Sequence, residues 1–305
     1  MFNKIKAVII GHAIGDALGV PVEFATREEL DNAPVETMEG FGTYPMPKGS
    51  WSDDTSMALA TLEALINKGV DYDAIMDNFA KWYFEDDFTP TGEMFDVGNT
   101  CSIAIEKYVK DKKSWSECGL NNEYSNGNGS LMRIHPIVLY LSKKDIALEE
   151  KIEIIHNVSA LTHAHDRSKI ACGIYAFILW KLLENPTKES IFKALQQAKE
   201  YYKNNNELSH YYRLFEKTFI VSKRSSIKSS GYVVDTLEAV IWCVLTSTSY
   251  KECVLKAVNL GDDTDTVAAI SGGLAGVLYG YETIPNEWKE SLLKFNEIEK
   301  MCEKI

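Results

Sequence analysis

The sequence predicts an all-α fold, a compact single-domain helical bundle. Apolar residues recur at helical spacing along most of the 305 residues, whereas the alternating patterns typical of β-strands are few and short. Hydrophobic residues make up 45% of the chain, enough for one large core or two small ones. Because no stretch is long or biased enough to be a linker, we expect a single domain over residues 1–305.

Helical spacing begins near the N-terminus and continues almost to the end of the chain. Ile10, Ile14 and Leu18 lie on one face of a first helix. Ala58, Leu62 and Leu65 do so in a second helix that follows Ser52. Further helices are predicted at residues 73–84, 100–110, 131–141, 148–159, 166–184, 188–203, 208–222, 233–247, 250–258 and 287–303. The predicted loops are residues 25–52, 111–130 and 223–232.

Glycines recur at every fourth position in two helical segments, one near each end of the chain. The first series is Gly11, Gly15 and Gly19, and the second is Gly272, Gly276 and Gly280. Residues four apart share a helix face, and glycines on one face allow two backbones to approach closely. We therefore expect the first and last core helices to touch.

Charge and composition exclude several classes of partner. The formal net charge of −12 argues against binding to nucleic acid, which requires basic patches. The N-terminal segment lacks a cleavage site typical of a signal peptide, and the apolar stretches 170–183 and 267–279 are too short to span a membrane. The six cysteines show no C-x-x-C pairing, so we expect free thiols and a cytoplasmic protein.

Two clusters of hydroxyl and carboxylate side chains stand at predicted helix starts. The first is Ser52, Asp53 and Asp54, in GSWSDDTSM; the second, in LGDDTDT, includes Asp263, Asp265 and Thr266. One such cluster is ordinarily explained by helix capping, but both contain more acid than a cap uses.

Hard oxygen donors without neighbouring Cys or His favour Mg²⁺, Mn²⁺ or Ca²⁺ over zinc. If folding brings the clusters together, they can hold two ions about 3.5–4 Å apart. The sequence thus predicts a binuclear metal cleft at helix N-termini.

Two other protein families have acidic motifs similar to these clusters. The sequence DTDT at residues 263–266 resembles the first four positions of the D-x-D-x-T motif of haloacid-dehalogenase-type phosphatases, which need a parallel sheet after the motif. The residues that follow it here read as helix. The D-D-x-x-D pattern of all-α prenyl synthases is absent from both clusters. Neither family therefore explains the pattern.

Six motifs in a fixed order resemble the ADP-ribosylglycohydrolase family, which includes the dinitrogenase reductase-activating glycohydrolase. The resemblance extends from about residue 8 to residue 280. The motifs are GHAIGDALGVPVEF (11–24), SWSDDTSMALA (50–60), DVGNTC (96–101), SNGNGSLMRIHPI (125–137), LTHAHDRS (161–168) and LGDDTDTVAAISGGLAG (260–276).

The resemblance implies a centre with two Mg²⁺ or Mn²⁺ ions and a set of residues around it. Asp262 is expected to lie beside the metal ligands without being one of them, and Glu23 would transfer a proton. The implied metal ligands are Ser52, Asp53, Asp54, Asp263, Asp265 and Thr266. The implied catalytic residues are Glu23, Asp54 and Asp263.

A substrate cleft is implied in the same way, because the glycines of SNGNGS resemble a cradle for a diphosphate. Tyr232 is a candidate for stacking against adenine or the leaving group. For Arg133, phosphate binding and a structural ion pair both stay open. The candidate substrate-binding residues are Asp96, Gly127, Asn128, Gly129, His163 and Tyr232.

The implied activity is metal-dependent hydrolysis of the glycosidic bond that joins ADP-ribose to a modified side chain. The partner would be an ADP-ribosylated protein or a small ADP-ribose conjugate, with neither nucleic acid nor membrane involved. The alternative is an inactive relative of the same fold that binds ADP-ribose or serves a structural role.

Overall fold

The computed structural model describes residues 2–305, which fold into one helical domain with its core between the helices. Within these residues the α-helices are α1 (Phe2–Gly19), α2 (Arg27–Asn32), α3 (Asp53–Lys68), α4 (Tyr72–Glu85), α5 (Asn99–Val109), α6 (Trp115–Cys118), α7 (His135–Ser142), α8 (Leu148–Ala160), α9 (Asp166–Glu184), α10 (Lys188–Tyr201), α11 (Val233–Thr246), α12 (Tyr250–Val258), α13 (Thr264–Tyr279), α14 (Asn286–Ser291) and α15 (Phe295–Cys302).

The predicted all-α fold is confirmed over the described residues. Extended pairing within residues 2–305 is limited to two isolated bridges, Leu120 with His163 and Gly127 with Tyr232. Short 3-10 helices occupy Val20–Val22, Asn206–Phe215, Phe219–Val221, Arg224–Ser226 and Tyr281–Thr283.

Helices α1 and α13 pack against each other at the centre of the molecule, as the glycine series predicts. A Cβ at Gly11 would stand 2.5 Å from the carbonyl oxygen of Gly272. A Cβ at Gly15 would stand 2.1 Å from the carbonyl oxygen of Ala268. Gly280 differs, because its φ of +96° ends α13 and no atom lies within 4 Å of its Cβ position.

Helix α1 is long and apolar enough to cross a membrane by length and composition, but it lies inside the protein. The window Asn3–Val22 is 83% buried in the fold. Its apolar residues from Ile5 to Val20 are almost fully covered by neighbouring helices. The apolar character of α1 is therefore that of a core helix.

Three predicted helices differ from those observed. The helix predicted at 131–141 begins at His135, since Pro136 is tolerated in a first turn but breaks a helix interior. The segment 208–222 forms 3-10 turns instead of an α-helix. The segment 287–303 is divided into α14 and α15 near Lys294, whose φ of +50° is left-handed.

The predicted loops also contain structure that the sequence did not indicate. Short helices α2 and α6 lie in two of them, each with a capping box at its start. In the third, Ile227 and Ser229 are buried. The Arg27 guanidinium donates to the carbonyl oxygens of Ile227 and Arg224, and this holds the segment against the domain.

Adjacent glycines of α13 provide a test of the α1–α13 contact. We expect Gly272→Ala to lower the free energy of unfolding by about 1–3 kcal/mol, because its Cβ would stand 2.2 Å from the Gly11 carbonyl oxygen. The matched control is Gly273→Ala, whose Cβ would make ordinary contacts at 3.5 Å or more. The control should be neutral or gain up to about 1 kcal/mol from helix propensity. If urea denaturation shows the same change in the free energy of unfolding for both variants, the close contact of Gly272 with α1 does not account for the loss.

Candidate active site

The two acidic clusters meet where α3 and α13 begin. Ser52 caps α3 by accepting a hydrogen bond from the Asp54 backbone N–H at 3.3 Å. Asp263 stands at the same position of α13 but makes no side-chain cap. The hydroxyls of Ser52 and Thr266 both donate to Asp54 Oδ2, each at 3.1 Å. Residues of the two clusters are thus in direct contact.

Several carboxylate oxygens in this cluster are buried and have no hydrogen-bond partner. They are Glu23 Oε2, Asp54 Oδ1, Asp263 Oδ1 and both oxygens of Asp265. Leaving an ionised oxygen buried without a donor costs several kcal/mol, so such groups ordinarily pair or coordinate a metal. The donor set therefore fits hard divalent cations.

The carboxylates form two groups that share one member. Oxygens of Asp16, Asp54 and Asp265 lie within 4.8 Å of one another, and so do oxygens of Glu23, Asp96 and Asp265. Asp265, which is 1% exposed, stands between the groups. Each group could hold a metal ion, and a shared carboxylate is the arrangement expected of a binuclear centre.

Asp16 belongs to the first group by distance, but its oxygens are already used. Asp16 Oδ1 accepts from the Ser52 backbone N–H at 2.9 Å. Asp16 Oδ2 accepts from the backbone N–H and the hydroxyl of Thr55, at 3.0 and 2.6 Å. These bonds join α1 to the first turn of α3, so Asp16 positions that turn.

Burial and mutual repulsion raise the pKa values of these acids. Burial, and then the charge of Asp96, raise the pKa of Glu23 to about 8. Burial, and then the charge of Asp16, hold the pKa of Asp54 well above its ordinary range. Burial, and then the charge of Glu23, do the same for the pKa of Asp265. The cluster is thus electrostatically unfavourable when every member is ionised.

Tyr44 is a residue of this site that the sequence analysis missed. Its hydroxyl interacts with both Glu23 and Asp96, and its ring packs on Phe95 with centroids 5.0 Å apart. The loop that carries it is fixed to the same segment as Glu23, because the Thr43 hydroxyl donates to the Glu23 carbonyl oxygen at 2.7 Å. A tyrosine in a Gly- and Pro-rich loop gives no sequence signal for this role.

The loop SNGNGS lies beside the acidic cluster and is joined to it by one side chain. Asn128 Nδ2 donates to Asp263 Oδ2 at 2.8 Å, and the Asn128 backbone N–H donates to the Gly231 carbonyl oxygen at 3.0 Å. Gly127 forms an antiparallel bridge with Tyr232, which is half-buried. The candidate substrate residues of the two segments are therefore neighbours.

His163 and Arg133 lie beneath this loop. The His163 ring is 2% exposed, and its Cε1 would be 2.9 Å from a Cβ on Gly129. Arg133 is fully buried, so it does not reach an open phosphate site. Among the described residues it has no ion-pair partner, and its guanidinium lies over the Phe79 ring at 4.6 Å. The structure supports neither role considered for Arg133.

Asp262, by contrast, takes part only through its backbone. Its side chain is exposed, and its φ of +61° is left-handed. Its N–H donates to the Ala25 carbonyl oxygen, and its carbonyl oxygen accepts from the Phe24 N–H, both at 2.8 Å. These bonds fix the chain that follows Glu23 to the turn that precedes Asp263.

The raised carboxyl pKa values predict how metal-free stability depends on pH. With chelator present, we expect the free energy of unfolding to fall from pH 7 to pH 8. In that interval the folded protein still loses protons, as from Glu23 with its pKa of about 8, whereas unfolded carboxyls are already ionised. Burial lowers the pKa values of His12 and His163 to about 3. These two histidines make the free energy of unfolding rise with pH, but only below about pH 6.5.

Urea denaturation at the two pH values, with EDTA and then with excess Mg²⁺ or Mn²⁺, measures this dependence. Bound cations favour the ionised acids, so the decline should largely disappear when either ion is added. A free energy of unfolding that rises with pH in EDTA would contradict the electrostatic description.

Comparison with known proteins identifies the family of this chain. A family model described as ADP-ribosylglycohydrolase matches residues 1–305. The ADP-ribosylarginine hydrolase Tri1 of Serratia proteamaculans is 33% identical over 311 residues, covering 99% of this chain and 79% of that protein. The ADP-ribosyl-(dinitrogen reductase) glycohydrolase of Rhodospirillum rubrum is 32% identical, covering 95% of this chain and 90% of that protein.

The fold also matches a solved structure described as an ADP-ribosylglycohydrolase-related protein complex. The TM-score is 0.84 at 29% sequence identity, and the match covers 99% of this chain and 96% of the other. With the whole-length family match, this likeness leads to one conclusion: the chain belongs to the ADP-ribosylglycohydrolase family.

Proposed function

We propose that this protein hydrolyses the glycosidic bond between ADP-ribose and a modified protein side chain, or a related small conjugate, with two Mg²⁺ or Mn²⁺ ions in its acidic cluster. The observation that carries the proposal is that two groups of carboxylates share Asp265, and that Glu23, Asp54 and Asp265 within these groups have buried oxygens without hydrogen-bond partners. Membership of the family supports hydrolysis as the reaction class.

The oxygens best placed to hold cations come from the starts of α3 and α13. Asp54, Asp263 and Asp265 each have a free buried oxygen, and the other predicted ligands are Ser52, Asp53 and Thr266. All of these donors are oxygens, which favours Mg²⁺ and Mn²⁺. When bound, the cations supply positive charge for the ribose hydroxyls and lower the pKa of a water molecule.

Glu23 is the residue that we assign to proton transfer. It is 6% exposed, its Oε2 has no partner, and it lies next to Asp265. In the reaction, the oxygen of a water molecule bonds to C1 of the ribose while the bond from C1 to the side-chain atom breaks. The proton of that water moves to Glu23, and Glu23 then gives a proton to the leaving atom, so that its carboxylate is regenerated. Asp54 and Asp263 stabilise the positive charge that develops on the ribose.

The neighbouring loop is assigned to the rest of the nucleotide. The backbone N–H groups of Gly127 and Gly129 are assigned to a diphosphate, while Asn128, whose own N–H donates to the Gly231 carbonyl oxygen, holds the loop in place. The bridge between Gly127 and Tyr232 brings an aromatic ring to the edge of that loop. Asp96 stands on the Glu23 side of the cluster, in reach of a ribose held there. His163 is assigned to the floor of the loop.

We propose the substrate from the names of two relatives, and the compartment from the state of the cysteines. The names of the two relatives refer to ADP-ribosylarginine and to dinitrogen reductase, so an ADP-ribosylated arginine on a protein is the first substrate to test. The six cysteines are free and buried. Free thiols are typical of a reducing compartment, which supports a cytoplasmic location.

Neighbouring aspartates provide a matched test of the cluster. We expect Asp263→Asn to slow the release of ADP-ribose on the order of 100-fold or more, because it removes charge from the cation site. The control is Asp262→Asn, whose side chain is exposed, and it should retain the parent rate. Release is measured from arginine-, serine- and O-acetyl-linked conjugates. Full activity in Asp263→Asn would refute the assignment.

Removal of metal tests the cofactor and separates hydrolysis from binding alone. EDTA should abolish the release of ADP-ribose, and excess Mg²⁺ or Mn²⁺ should restore it, since the cluster offers only oxygen donors. Calorimetric titration with ADP-ribose is done in parallel. Binding of ADP-ribose without cleavage of any conjugate would instead identify an inactive binding protein.

A further inference from the structure

A buried polar chain lies beneath the SNGNGS loop and has no part in the reaction as described so far. It begins at Arg133, whose Nη2 donates to Thr162 Oγ1 at 2.7 Å. Thr162 Oγ1 in turn lies 2.8 Å from His163 Nδ1. All three residues are nearly or completely buried. The chain therefore leads from a buried cation to the imidazole under the loop.

The far edge of that imidazole faces the two glycines of the loop. His163 Nε2 lies 3.6 Å from the position of a Cβ on Gly127 and 3.4 Å from that of a Cβ on Gly129. Side chains at these positions would cover the nitrogen. Because both positions are glycines, the Nε2 edge of His163 lies close beneath the backbone that we assign to the diphosphate.

Arg133 is an unusual cation because its surroundings do not neutralise it. The groups that act on it electrostatically are the thiols of Cys101 and Cys172, and burial lowers its pKa. Its Nη1 donates to the Val158 carbonyl oxygen at 3.2 Å. Within residues 2–305 it forms no salt bridge. Burying a guanidinium without an ion-pair partner costs free energy. The short hydrogen bond that Arg133 donates to the Thr162 hydroxyl is therefore its specific interaction with another side chain.

The direction of the hydrogen bonds follows from what each group can donate. A guanidinium has no acceptor, so Thr162 Oγ1 must accept from Arg133, and the hydroxyl proton remains to be donated. His163 Nδ1 is a good acceptor for it. The opposite tautomer would require Thr162 to donate to the Cys101 thiol, which is a weak acceptor. Polarisation by the cation strengthens the donor further.

We infer that Arg133, acting through Thr162, is a positioning residue that holds His163 in the Nε2–H tautomer and so presents an N–H donor to an oxygen of the bound nucleotide. The inference rests on the proposed function in that the ligand is ADP-ribose. Burial lowers the pKa of His163 to about 3, so the ring stays neutral and has only one N–H to offer.

The tautomer can be measured without any assay of activity. In protein with ¹⁵N-labelled histidine, the His163 signals are assigned by their loss in His163→Gln. We expect the proton on Nε2 of His163 in the parent, with no change of the His163 signals between pH 8 and pH 5. Thr162→Val should lose this preference. A proton on Nδ1 of the parent would overturn the inference, whether or not the variant folds.

Binding of ADP-ribose provides the second readout, by calorimetry with excess Mg²⁺. Thr162→Val should weaken binding by about threefold to tenfold, which corresponds to one hydrogen bond. The matched control is Thr61→Val, another fully buried threonine, whose hydroxyl donates to a carbonyl oxygen within α3. It should bind like the parent.

The outcomes separate this inference from the proposed function. If the parent cleaves ADP-ribose conjugates but Thr162→Val binds ADP-ribose as tightly as the parent, the positioning role is wrong and the proposed function stands. If the parent fails to bind ADP-ribose at all, the proposed function and the ligand role of His163 are both wrong. Weaker binding by Thr162→Val together with the Nε2–H tautomer supports the inference.

Discussion

The geometry of the cleft depends on the last turn of α1, which is packed between the starts of α3 and α13. Asp16 in that turn accepts backbone and hydroxyl hydrogen bonds from the first turn of α3. Gly19, one turn later, lies so close to α13 that a Cβ would stand 2.3 Å from the Asp265 Cα. The Gly19 carbonyl oxygen accepts from the Thr264 hydroxyl at 2.8 Å. One turn of helix thus fixes both acidic clusters, and Glu23 follows it directly.

Bringing these clusters together has an electrostatic cost that the protein alone offsets only in part. The N-termini of α3 and α13 carry partial positive charge, which favours nearby carboxylates by roughly 0.3–1 kcal/mol each. Hydroxyls of Ser52 and Thr266 satisfy one oxygen of Asp54. The second oxygen of Asp54 and both oxygens of Asp265 remain without a donor. Burial, and then repulsion among neighbouring carboxylates, raises their pKa values, and a bound cation would relieve this repulsion.

Sequence periodicity and glycine spacing predicted the all-α fold and the contact of α1 with α13, because both follow from local rules about helix faces. The surplus of carboxylates at two helix starts was visible in the sequence, whereas the meeting of the two clusters depends on how α1 packs between α3 and α13. Tyr44 was not, because its position depends on how a loop folds back onto Pro21 and Glu23. The burial of Arg133 was missed for a related reason: a charged residue in a loop motif gives no sign that Phe79 and α8 will cover it.

The cleft divides into an acidic side and a glycine-loop side, and Asn128 couples them. Its amide donates both to Asp263 and to the Thr236 hydroxyl, so the loop is fixed relative to the start of α13 and to α11. Asp263 Oδ2 accepts this bond, and Oδ1 is the oxygen of Asp263 that has no partner and is free for a cation. A cation that draws Asp263 toward itself must therefore move or strain the loop that faces the nucleotide. The two halves of the site cannot be arranged independently, and the side chain that links them limits how far either half can move.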